Sequence, residues 1–270
     1  MKKLFTAIRQ GKLDEVALIL DKKPELISCL AKTPPKKDDG QSPLMVAIKS
    51  DNWEVAHLLL DRGADVNFQD APTQPHNESV PIWYNAVGQC FMQARHTVGP
   101  GPERSKNYFL LLRRLLEMGM DPNQRATSDY GSRNAWQYAI EQYDYFAHIS
   151  LSDYPPSRER ELEENRRLGA MLKAVLDELL KHGVDIHAFD PPRDNGLPTT
   201  ACLLRNLEEN RELFDGFYGL NPAELKPTTI TYRGREWLSP PTPVEEQQQR
   251  YEIKWRALEP LLRAYYEESH

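Results

Sequence analysis

His182 and His187 flank Gly183, and their spacing is the nearest approach in this chain to a metal-ligating pair. Imidazole is a good zinc ligand, but a zinc site needs three or four ligands. No cysteine or third ligand lies close in sequence, so loop hydrogen bonding is the favoured reading of His187. Cys90 with His96 is the other pair of note, a thiol near a base. One thiol on an apolar helix is more often a core residue than a nucleophile. The phosphate cradles GxGxxG and GxxxxGK[ST] are missing, as are the GxSxG elbow and the HExxH zinc helix. No catalytic residue, cofactor site or metal ligand is assigned, and the chain is read as not an enzyme.

Two other groups of side chains point to binding. The run "SRERELEENRRLG" interleaves both signs. It reads as the solvated face of a long helix, with pairs such as Glu161–Asn165 and Glu163–Arg167. The sharper alternative, an anion ledge of Arg158, Arg160, Arg166 and Arg167, is opposed by the glutamates between them. Aromatic residues gather at Trp53, Trp83, Tyr84, Trp136, Tyr138, Tyr143, Tyr145 and Phe146. Exposed Tyr and Trp make good anchors, because they bury a large area with few torsions to freeze.

Composition narrows the class. With 40% hydrophobic and 27% charged residues, the chain is an ordinary globular sequence, neither disordered nor membranous. No apolar run reaches the roughly 18 residues that a membrane span requires. The apolar stretch in "MKKLFTAIRQGK" ends at Arg9, too early for a signal-peptide core, so this reads as a mature cytosolic N-terminus. Cys29, Cys90 and Cys202 are scattered and form no CxxC, which fits reduced thiols in the cytoplasm. A net charge of −6 opposes nucleic-acid binding and is compatible with a basic protein partner.

The elements that carry these residues repeat. In "DGQSPLMVAIKSDNWEVAHLLLDRGADVN", Asp39-Gly40 predicts a type I′ turn, which asks for positive φ at both residues. Ser42 predicts a helix cap and Pro43 the first helical position. Leu44, Ala47 and Ile48 form one apolar stripe, and Val55, Leu58 and Leu59 a second, closed by Gly63. Neither helix can bury its own face. Upstream, Leu4, Ala7 and Ile8 repeat the first stripe. Downstream, "VPIWYNAV" with "LLRRLLEMGMDPN", then "NAWQYAI" with "VLDELLKHGVDIHAFD", give a third and a fourth copy, closed by Gly119 and Gly183.

The quoted unit resembles the ankyrin repeat, with its turn, TPLH-like helix start, LLL helix and GADVN loop. The resemblance covers residues 3 to 190. It implies an all-α fold (α-solenoid), in which about four stacked helix pairs occupy residues 1–190. Gly63 to Gly119 and Gly119 to Gly183 far exceed the family period of about 33 residues. The surplus lies between the two helices of each repeat and predicts lengthened helices joined by Pro-rich loops. The family's TPLH histidine is replaced by Met45, Trp83 and Gln137, which predicts bespoke packing between repeats. Trp83 there reads as inter-repeat packing, and Trp136 takes a buried leucine position. Residues 191–270 read as a degenerate repeat ("DNGLPTTACLLRN"), a hairpin ("TTITYRGREWL") around an Arg233-Gly234-Arg235 turn, and a capping helix from Thr242-Pro243.

By the same resemblance, partners bind the hairpin tips and the face made by the first helices. The matching positions are Asp38, Asp39, Gln41, Lys49 and Ser50 in the second repeat. In the fourth they are Asp129, Tyr130, Ser132, Glu141 and Gln142. Trp53, Tyr143 and Tyr145 are added as aromatic candidates, the last two because they lie beyond the family's helix length. The implied function is noncovalent recognition of a protein, by a chain that is a monomer when free and uses no cofactor. Two specific readings compete: an immunity protein or inhibitor of one toxin or enzyme, and a general adaptor or host-directed effector. A third makes residues 191–270 a small catalytic or nucleic-acid module.

Overall fold

Short helices with one apolar stripe stay folded only if a neighbour covers that stripe, and here the first three pairs each pack against the next. The computed structural model describes residues 1–32, 35, 38–71, 78–96, 100–128, 131–147, 155–188, 227–232, 235–239 and 259–268. The first pair is α1 (Lys2–Arg9) with α2 (Leu13–Lys22), followed by a 3-10 turn over Pro24–Ser28. The second is α3 (Pro43–Lys49) with α4 (Trp53–Asp61). The third, α5 (Ile82–Ala94) with α6 (Gly101–Glu117), has 13 and 17 residues where the second has 7 and 9. The fourth is α7 (Ala135–Phe146) with α8 (Pro155–Lys181). α1, α3, α5 and α7 pack in sequence, and α2, α4 and α6 pack alongside them. The lengthened helices expected in the third and fourth pairs are present.

The chain divides into two compact units. Met1–Phe146 and Ala170–Asp185 form the first, and Ala147–Gly169 with Ile186–His270 the second. The second unit thus takes in part of the segment assigned from sequence to the inter-helix surplus of the fourth repeat. In the first unit Leu4, Ala7, Ile8, Leu44, Ala47, Ile48, Val55 and Leu59 are buried as predicted, as are Trp83 and Trp136, whereas Leu58 of the second stripe is only half-buried and Leu60 takes its place in the core.

Local chemistry sets the element ends. The Ser42 hydroxyl accepts the Met45 amide at 3.2 Å, and Pro43 fills the first helical position. Asn134 and Gln137 cap α7 reciprocally: the Gln137 amide donates to Asn134 Oδ1 (3.1 Å) and the Asn134 amide to Gln137 Oε1 (3.0 Å). α1 and α2 are joined at Gly11, φ +64, and the matching turn of the second pair places Asp51 at φ +61. Gly11 has no alternative, since a Cβ there would lie 2.7 Å from Asn52 Oδ1. That Asn52 side chain donates to the carbonyls of Ile8 (2.8 Å) and Arg9 (3.3 Å), tying the second pair to the first.

Two differences from the sequence reading stand out. The turn before α3 is not type I′, because only Gly40 (φ +78) takes positive φ and Asp39 does not. The loops also pair more than expected. β1 (Ala126–Ser128) and β2 (Gly131–Arg133) form an antiparallel hairpin before α7. Ser79 and Thr127 exchange backbone hydrogen bonds of 3.0 and 2.9 Å, joining this hairpin to the loop before α5.

In the second unit, β3 (Thr228–Tyr232) and β4 (Arg235–Ser239) are antiparallel, with Tyr232 opposite Arg235. This is the hairpin predicted at "TTITYRGREWL". α9 (Glu259–Glu268) carries Leu262 fully buried. The degenerate repeat and the helix start at Thr242-Pro243 lie outside the described residues.

Candidate partner-binding surface

The loops on one edge are clasped to each other by asparagines. In the loop closed by Gly63, the Asn67 side chain donates to the Gly119 carbonyl (2.9 Å) and accepts the Asp121 amide (2.8 Å). One repeat on, Asn123 donates to the Gly183 carbonyl (2.9 Å) and accepts the Asp185 amide (2.6 Å). Asp65 and Asp121 hold the two asparagines in place by accepting their backbone amides. His187, in the next equivalent position, packs edge-on against Tyr266 at 5.5 Å, while His182 lies 3.5 Å from Glu178. Among the described residues no group of three metal-ligating side chains occurs.

The positions of the missing TPLH histidine are filled in three different ways. Met45 is fully buried. Trp83 is buried too, and its indole donates to the Gln124 carbonyl in the following repeat at 3.0 Å. Gln137 caps its own helix and accepts from Arg125 at 3.0 Å.

Residues 2–70 match the family model described as ankyrin repeats (3 copies). This segment consists of ankyrin repeats. No curated protein matches it. Ankyrin repeats are in general protein–protein interaction modules, and the family is typically non-catalytic. Among the described residues, no helix is long and apolar enough to cross a membrane. The site to look for beside ankyrin repeats is therefore a surface.

The finger before α3 departs from the expectation of exposed tips. Asp38 is 1% exposed, and its carboxylate accepts from Arg9 at 2.9 Å, so it is a buried tie between the first two repeats. Gln41 is also buried, donating weakly to Asp70 (3.5 Å) and accepting from Lys49 (3.4 Å). Asp39 and Lys49 are exposed, and Ser50 is half-buried at the end of α3. Burial raises the Asp70 carboxyl above its ordinary value, against the opposing pull of the Val80 amide, Gln41 and Lys49.

In the fourth repeat, Ser132 accepts from Arg125 at 3.1 Å, and Glu141 pairs with Arg133 at 2.7 Å in a largely buried contact. Gln142 is half-buried. Asp129 and Tyr130 lie outside the described residues. Trp53 is half-buried, edge-on to Tyr108 at 6.3 Å.

Tyr143 is not an exposed anchor. It is 3% exposed, and burial pushes its phenol up. Lengthening α7 also lengthened the core beneath it, so the extra turn has a buried side. Tyr145 lies on the other side and is 68% exposed, with its ring edge-on to Phe146 at 4.9 Å. The Arg95 guanidinium sits over the Phe146 ring at 6.0 Å, and Met92 is exposed nearby in sequence. Further along the same two helices, Tyr84 stacks on Tyr138 at 4.1 Å. Met92 and Arg95 were not singled out in the sequence. The signal available was the fourfold spacing Tyr84, Gly88, Met92 on α5 against Tyr138, Gln142, Phe146 on α7.

The thiol–base reading of Cys90 fails on physical grounds. Cys90 is fully buried and burial pushes its thiol up, whereas a nucleophile needs a lowered value. The mixed-charge run is paired as expected where its side chains are described: Glu163 accepts from Arg166 (3.0 Å) and Arg167 (3.3 Å).

Proposed function

We propose that this chain recognises one protein partner noncovalently, through the inner-helix face, with its energetic centre at the far ends of α5 and α7. The observation that carries this reading is Tyr145, exposed at 68% beside the Arg95–Phe146 contact on helices longer than those of the second repeat. An exposed tyrosine next to an arginine is the side-chain chemistry of binding hot spots. Lys49 and Asp39 extend the surface toward the fingers, and the net charge of −6 favours a basic partner. We place residues 1–190 in the repeat domain and residues 191–270 in the segment that follows it. A cytoplasmic inhibitor or immunity protein fits best. A general adaptor or host-directed effector is the second reading, and it needs no preference for a basic partner.

The test is capture of partners from native cells by the full chain, repeated with Tyr145→Ala and Arg95→Ala. One stoichiometric basic protein, lost or at least about fivefold weaker with either variant, supports the reading. Several unrelated proteins favour the adaptor. Capture unchanged by both variants, with circular dichroism unaltered, removes this surface from consideration.

A further inference from the structure

α1, α2 and the 3-10 turn line a concavity of about 440 Å³ on the first repeat. Its floor is apolar: Leu4 is fully buried, Ile19 and Leu26 are half-buried, and Met1 is 46% exposed at the edge. Its rim carries Lys2, Lys3, Lys22 and Lys23, all exposed. The neighbouring basic residues are neutralised: Arg9 pairs with Asp38, Lys12 with Glu15 and Arg62 with Asp21. Among the described residues the four rim lysines make no such pair; Asp21, next to Lys22, is taken by Arg62, and Glu25, two residues after Lys23, makes no ion pair. A chain of net charge −6 thus holds four unpaired cations around one apolar hollow.

We infer that this hollow is a second docking site, for an acidic segment of a partner protein that places an apolar side chain inside and carboxylates on the rim. Charge decides the class of occupant. Four ammonium groups brought together repel one another, and carboxylates relieve that repulsion while the apolar floor loses its water. The volume is at the small end for a ligand pocket and suits one or two apolar side chains, not a whole helix face. Leu4 and Phe5 face inward, so α1 has no apolar side to insert into a bilayer. A surface of this kind binds more weakly as salt rises, because exposed charges are screened beyond about 10 Å at 0.1 M.

The experiment is selection from a random dodecapeptide display library on the full chain and, in parallel, on the double variant Lys22→Glu, Lys23→Glu. Circular dichroism and a urea midpoint serve as folding controls. Enriched peptides should combine Asp or Glu with a large apolar residue. They should bind the double variant at least about tenfold more weakly and lose affinity with added salt. Ile19→Arg, which fills the hollow without removing a lysine, should abolish binding as well. Enrichment of neutral or basic peptides, or equal binding by the charge variant, overturns the proposal. So does binding to phosphatidylserine vesicles with no peptide enriched, or self-association in sedimentation that disappears in the variant. If Lys22→Glu, Lys23→Glu fails to fold, Ile19→Arg and the salt titration decide the matter.

Discussion

Asp38 and Asp39 are neighbours with opposite tasks, and a variant pair separates them. Asp38→Lys places a cation beside Arg9 where the side chain is 2% exposed, and should cost about 3 kcal/mol in urea unfolding. Asp39→Lys, on the exposed side of the turn, should stay within about 0.5 kcal/mol. The sequence could show that both lie in a turn. It could not show which one faces Arg9, 29 residues earlier. Caps were legible because their partners are local: Ser42 reaches only Met45. Tyr143 and Tyr145 were not separable either, since both lie past the family's helix end and only packing assigns one to the core. Asp70 gives a pH signature. Its carboxyl is raised by burial, so the folded state holds the proton more tightly than the unfolded state. Asp70 therefore subtracts stability as pH rises from about 4 through its raised folded value. Asp70→Asn has no charge to desolvate and should gain stability relative to the parent across that window, measured as urea midpoints at several pH values. A difference independent of pH would mean that the carboxyl is not perturbed.

At the level of elements, the helices were readable and the pairing between loops was not. Stripes at i, i+3 and i+4 located α1 and α3, and the copies "VPIWYNAV" and "NAWQYAI" located α5 and α7, because each pattern is a property of one segment. The bridge between Ser79 and Thr127 joins loops from different repeats, and no local pattern announces it. It should nevertheless be measurable. Thr127→Pro removes the amide that donates to the Ser79 carbonyl and disturbs the return bond from the Ser79 amide. Hydrogen exchange at Ser79 should then rise at least about tenfold, with α4 and α6 unchanged. Unaltered protection at Ser79 would show that the fingers stand independently. The hairpin β3–β4 is the contrasting case: its alternating β-formers were legible because both strands sit in one short stretch, although Arg235, read as part of the turn, pairs with Tyr232 as the first residue of β4.

Across the first unit, helix pairs pack on the next pair in sequence among the described residues, and stability should be distributed accordingly. Leu4→Ala removes a fully buried side chain from α1, a change that typically costs about 2–5 kcal/mol. Hydrogen exchange should accelerate through α1 and α2 while the amides of α7 keep their protection. An equal rise in α7 would mean that the array unfolds as one cooperative body. The asparagine clasps carry a different consequence. Asn67 and Asn123 fix the distance from each loop to the next along one edge, whatever happens between the helices. That edge works as a ruler, and the opposite edge is free to change. Length added between α5 and α6 or between α7 and α8 leaves the ruler's marks where they were. The scaffold can therefore vary its reach on one side without re-tuning its assembly on the other, so new specificity can arise by insertion where point changes to the core would be selected against.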